Sequence, residues 1–111
     1  MPKTSLAAIV KHCDRILRTA EIGDYAGAVN GLQVENSGAV TKIAATVDAS
    51  LATIQLAVAA KADLLLVHHG LFWSSRQSWT GKNYEIFKCC VENDLAIYSS
   101  HLPLDVHPKL G

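Results

Sequence analysis

The chain has 111 residues, half of them apolar, with 10 basic and 10 acidic side chains and a formal net charge of zero. That length supports a single domain (1–111) around one core, and the apolar share excludes a disordered segment. Without a basic excess, electrostatic capture of nucleic acid or of an anionic membrane is not expected, and neutrality removes one barrier to self-association.

The cysteines are Cys13, Cys89 and Cys90. The count is odd and an adjacent pair seldom bridges within itself, so a reduced, cytoplasmic chain is expected. The N-terminal stretch has neither the apolar core nor the cleavage site of a signal peptide, and no apolar run approaches membrane-spanning length.

Leu6, Ile9, Val10, Cys13, Ile16, Leu17 and Ala20 recur at helical spacing and predict an amphipathic helix over 5–20, capped by Thr4 or Ser5. His12 and Asp14 fall off that stripe and read as solvated. Residues 23–38 read as loop with one extended piece, Leu32–Gln33–Val34, after an Asn30–Gly31 turn signal. Asp24 in this loop reads as a cap or turn residue with no catalytic role. Residues 41–47 predict a strand ending at Asp48, and 50–62 an Ala- and Leu-rich helix. Residues 63–67 predict a second strand, apolar throughout. A polar loop, 74–81, leads to a helix over 83–93 with Ile86, Phe87, Cys90 and Val91 inward; 95–99 predict a third strand. Phe72, Trp73 and Trp79 flank the loop and read as subunit contacts; the adjacent cysteines read as packing.

Strand, helix, strand, loop, helix, strand argues for an α/β domain: a mainly parallel sheet built from βαβ units with helices on both faces. Right-handed crossovers place the three strands side by side. Each then ends in polar residues at one rim: Asp48, then His68 and His69, then His101. In open α/β sheets that rim is where ligands bind.

Neutral imidazole is a common ligand for zinc, iron and related ions, and a carboxylate has two oxygens with which to bridge a pair. Asp105 lies on the turn after His101, stiffened by Pro103. The combination of His68, His69 and Asp105 therefore reads as a metal site. Two ions bridged by one carboxylate sit roughly 3.5–4 Å apart, the spacing of two-metal hydrolytic sites. Asp48 reads instead as the cap of the following helix, and His107, before Pro108, as part of an exit turn. No phosphate loop, nucleophile elbow or paired CxxC competes.

Three separated stretches, Asn30–Gly31–Leu32–Gln33–Val34, Val67–His68–His69–Gly70–Leu71–Phe72–Trp73 and Tyr98–Ser99–Ser100–His101–Leu102–Pro103–Leu104–Asp105–Val106–His107–Pro108, resemble the Nif-three-like proteins. These are also described as dinuclear metal-centre hexameric proteins and as GTP cyclohydrolase type two. The resemblance covers nearly the whole chain and implies an α/β fold, a hexameric ring and metal sites facing an inner cavity. It implies two divalent transition ions per complete site, with zinc, iron, manganese and nickel undistinguished, held in this half by His68, His69 and Asp105. His101 is implied beside them as an extra ligand or a proton carrier in catalysis. Family members run longer, and their further His and Glu ligands come from a C-terminal half. A continuing chain or a second chain is thus expected to complete the site, unless the domain is metal-poor. A metal-dependent hydrolase resembling GTP cyclohydrolase type two is one expectation; a metal-binding, ring-forming scaffold without turnover is the other.

Overall fold

The computed structural model describes residues 3–72 and 78–111. In chain order the elements are β1 (Thr4–Ser5), α1 (Leu6–Leu17), β2 (Gly31–Val34), β3 (Ala39–Val40), β4 (Ile43–Asp48), α2 (Leu51–Ala59), β5 (Leu64–His69), α3 (Lys82–Glu92), β6 (Ala96–Ser99) and α4 (Leu102–Asp105). Trp73 lies outside the described residues.

Local chemistry sets these boundaries. The Ser5 side chain accepts the Ala8 N–H at 3.0 Å and starts α1, which ends at Arg18 in a left-handed conformation (φ 53°), short of the predicted residue 20. Ser50 and Thr53 form a reciprocal capping box at the start of α2. Asp48 is therefore not the cap, because a hydroxyl two residues later already receives the orphan N–H.

The main sheet has the order β2-β6-β5-β4. Strands β4, β5 and β6 are parallel, with Ile43 opposite Leu64 and Leu64 opposite Ala96. Strand β2 runs antiparallel to β6, Gly31 opposite Ser99, with an irregularity between Leu32 and Val34. The sheet is therefore mixed, not mainly parallel as the alternation of elements suggested. The physical reason is that β2 precedes the βαβ units and enters the edge by a loop, not a crossover helix. Strands β1 and β3 form a separate antiparallel pair.

Strand β5 alternates between two cores. Leu65 and Val67 pack with Ile54, Ala57 and Cys90 of α2 and α3, while Leu64 packs with Leu6 of α1, against which Leu66 also lies. Both faces are covered, which is why this strand is apolar throughout; each fully buried Leu or Val contributes about 1.5–3 kcal/mol. Cys90 belongs to the packed face of α3 and burial pushes its thiol up to about 11, whereas Val91 is 72% exposed and does not pack inward. Buried Tyr98 donates its hydroxyl to Asp14 Oδ1 at 2.6 Å, so Asp14 ties α1 to the sheet and is not simply solvated. Burial, then the Asp14 hydrogen bond, raises that phenol above its ordinary range.

Candidate metal centre

Three parallel strands place their last residues at one rim, and β5 runs past the end of β6 to bring both of its histidines there. Beyond β6 the chain turns through Ser100 into α4, with His101 at the start of that helix and Pro103 in its first turn. The rings of His68 and His69 are 4.6 Å apart between centroids, and His101 lies 5.1 Å from His68 and 5.6 Å from His69. Taking one ring nitrogen from each, the three ligand atoms lie within 4.8 Å of one another. Asp105 brings Oδ1 to 3.4 Å from His68 Nε2. The structure thus gathers His68, His69 and His101 and sets Asp105 against His68.

The Nδ1 atoms fix how the rings present themselves. His68 Nδ1 lies 2.8 Å from the Ser100 carbonyl, His69 Nδ1 2.7 Å from Asp48 Oδ1, and His101 Nδ1 3.1 Å from both Asp24 oxygens. Carbonyls and ionised carboxylates only accept, so each Nδ1 carries a proton and donates it. In the neutral ring the lone pair is then on Nε2. A carbonyl or carboxylate that accepts the other ring N–H and so orients the imidazole is the usual companion of a metal-ligating histidine.

Asp24 is the hub of the second layer. Its side chain is only 4% exposed. Burial works against its charge, but the Asn30 amide, the Leu102 and Tyr25 N–H groups and the His101 ring outweigh it, holding the carboxyl well below the ordinary range. Asn30 donates to Asp24 Oδ2 at 3.0 Å and accepts the His101 N–H at 2.7 Å. The next residue, Gly31, has φ +106°, a conformation that side chains rarely adopt, so backbone geometry favours glycine at that position. Gln33 supports the other histidine-bearing loop: its Oε1 accepts the Leu71 N–H at 2.8 Å and its Nε2 donates to the Val29 carbonyl at 2.7 Å. A Cβ at Gly70 would meet the Gln33 amide at 2.5 Å, so glycine there lets the loop close on Gln33.

Sequence reasoning missed Asp24, Asn30 and Gln33 as parts of this site and read Asp48 as a helix cap. The available signal was the Asn30–Val34 stretch, which carries part of the family resemblance but gives Asn30 and Gln33 no role at the site. His107 does sit in the exit turn, its Nδ1 accepting the Lys109 and Leu110 N–H groups at 3.1 and 3.0 Å. On the α1 side of the cluster lies a cavity of about 380 Å³ lined by Leu66, His68, Tyr98, Ser100 and Leu104, among others, with no Lys or Arg in its wall among the described residues. Trp79 packs edge-on against Phe87 on α3.

The family model of DUF34/NIF3 (NGG1p interacting factor 3) matches residues 4–111. A Deinococcus radiodurans protein called GTP cyclohydrolase 1 type 2 homolog is 47% identical over 91 residues, 81% of this chain and 35% of its own length. A Pseudomonas aeruginosa protein of the same name is 42% identical over 108 residues, 96% of this chain and 42% of its own length. Among solved structures, TTHA1606 from Thermus thermophilus superposes with a TM-score of 0.92 at 33% identity, over 97% of this chain and 44% of that one. The chain therefore spans less than half the length of the relatives it matches. On these matches the chain belongs to the DUF34/NIF3 family.

Proposed function

We propose that the histidine cluster is one part of a dinuclear metal centre serving a hydrolase. The observation that carries this reading is the set of three imidazoles with protonated Nδ1 atoms and converging ligand nitrogens, beside the Asp105 carboxylate. The donor set fits: neutral imidazole and carboxylate suit zinc, iron, manganese and nickel alike. His68, His69 and Asp105 would hold the ions, with His101 as a further ligand or as the group that moves a proton at Nε2. A bound divalent ion supplies Lewis acidity, polarising a substrate oxygen and acidifying water. The chain's own part is orientation. Ser100, Asp48 and Asp24 hold the three rings, while Gln33 and Gly70 seat the loop that follows the pair.

Four donors are few for two ions, so the reading includes further ligands from a continuing chain or a second copy, within a hexameric ring. The relatives' name, GTP cyclohydrolase 1 type 2 homolog, suggests a guanine nucleotide as substrate. Among the described residues the adjoining cavity wall is apolar and without cations, which suits a ring or acyl group better than a triphosphate. The family description, NGG1p interacting factor 3, favours the second reading, a metal-binding scaffold acting through partner contacts.

Elemental analysis and a hydrolysis screen test both. The purified protein should retain transition ions at neutral pH, and His68→Ala and Asp105→Ala should lose them together with turnover of nucleotides or phosphate esters. Bound metal without turnover selects the scaffold; absence of metal affinity removes both readings.

A further inference from the structure

Strand β4 is an edge of the main sheet, and its outer side has no strand partner among the described residues. Natural edge strands are normally blunted by proline, by bulges or by charges along their length, because unpaired N–H and C=O groups invite another strand. Strand β4 has none of these in its interior: Ile43, Ala44, Ala45, Thr46 and Val47 carry no charge and no proline. It pairs with β5 residue for residue from Ile43 to Thr46. The edge is also apolar on both sides. Ile43 and Val47 are 47% and 58% exposed, and Leu56 of α2, 70% exposed, borders the groove beside Ala44 and Thr46.

We propose that this edge is a homodimer interface, in which β4 of two copies pair antiparallel about Ala45. The sequence of the strand is complementary to itself in that register. Ile43 of one copy faces Val47 of the other, Ala44 faces Thr46, and Lys42 at one end faces Asp48 at the other. Both end pairs are opposite in charge, and the chain carries no net charge to oppose association. Asp48 Oδ1 receives His69, and Oδ2 is the oxygen left for Lys42 of the other copy. A two-fold axis through Ala45, perpendicular to the sheet, keeps each face on its own side. The two α2 helices then approach across the axis and cover Leu56 from both copies. The main sheet becomes one continuous eight-stranded layer, and the interface is isologous, as two-fold contacts are. This interface stands apart from the metal reading and survives its failure.

Sedimentation velocity on the purified chain at about 100 μM, a concentration that populates even weak contacts, should show a dimer or a hexamer built from three such dimers. Lys42→Glu alone sets like charges opposite Asp48 at both ends, and Asp48→Lys alone sets like charges opposite Lys42. Each should raise the dissociation constant about tenfold or more, from two pairs turned from attractive to repulsive. An equimolar mixture of the two variants restores opposite charges at both ends and should sediment as a heterodimer. Ala45→Cys, which changes no charge, should form a disulfide-linked dimer on mild oxidation, since residues at the axis face their own copies. A monomeric parent chain, two variants that associate like the parent, or an Ala45→Cys chain that does not cross-link would each overturn the proposal.

Discussion

The two rims of the main sheet use the same residue types to opposite ends. At the amino rim, Asp63 accepts the Thr41 N–H, the Thr41 hydroxyl and the Lys42 N–H at 2.8, 2.8 and 3.0 Å. Asp94 accepts the Ser37 N–H and hydroxyl at 2.7 and 2.6 Å, and the Asn36 amide reaches the carbonyls of Ala39, Asp63 and Asp94. Those carboxylates are spent on backbone and hydroxyl donors, and what they close is the fold. At the carboxyl rim, Asp24 and Asp48 accept imidazole N–H groups, and the consequence is directional: each bond sets a tautomer and leaves the lone pair on Nε2. An acid therefore reveals its role less by its own burial than by what donates to it.

The comparison breaks first at the rings. On the proposed metal reading His69→Ala removes a ligand from a half-exposed position, so metal affinity, measured by calorimetry, should fall more than about 100-fold, beyond the effect of losing a partner that only orients a ring. Thermal stability of the metal-free protein should change little, because no core contact is lost. The next largest effect falls on Asp24. Asp24→Asn keeps the shape but removes the charge that His101, Asn30, Leu102 and Tyr25 all address, and metal affinity should drop about 10–100-fold. Asp48→Asn acts on a pair whose side chains are 45% and 68% exposed, so its effect belongs at the lower end, about tenfold. Equal losses for Asp24→Asn and Asp48→Asn would mean that burial of the second layer does not govern how firmly a ring is held.

That His68, His69 and His101 come together at one rim was readable in the sequence, because it follows from the order of strands and helices. Apolar runs and helical spacing locate the parallel strands and bring their carboxyl ends to one rim, although β5 continues two residues past the predicted Val67 and beyond the end of β6. The layer behind the rim was not readable. Asp24 meets His101 across 77 positions of chain, and no periodicity says which loop residue reaches which strand end. Asn30–Gly31 announced a turn, but not that the amide would bridge Asp24 and the His101 backbone. The direction of β2 was equally hidden, since a four-residue strand reads the same in either sense. Asp48 misled because an Asp ahead of a helix and an Asp behind a histidine look alike until Ser50 is seen to hold the cap.

The smallest expected effect is at the amino rim, and it sharpens the contrast through pH. The Thr41 N–H, against some opposition from burial, together with the Thr41 hydroxyl, the Lys42 N–H and the Lys3 charge, lowers the Asp63 carboxyl below its ordinary value. A carboxyl lowered by folding stabilises the fold above its unfolded value, near 3.9, and loses that contribution as pH falls through the folded value. Asp63→Asn should therefore cost about 1–2 kcal/mol at neutral pH in urea denaturation, the worth of partly exposed charge-assisted hydrogen bonds. The gap between parent and variant should narrow below about pH 4, as the parent's own carboxyl takes up its proton. Metal affinity of Asp63→Asn should match the parent, because its donors lie at the opposite end of the strands from the histidines. A variant that lost metal as well as stability would show that the two rims are coupled through β5, and that the division of labour drawn between them is wrong.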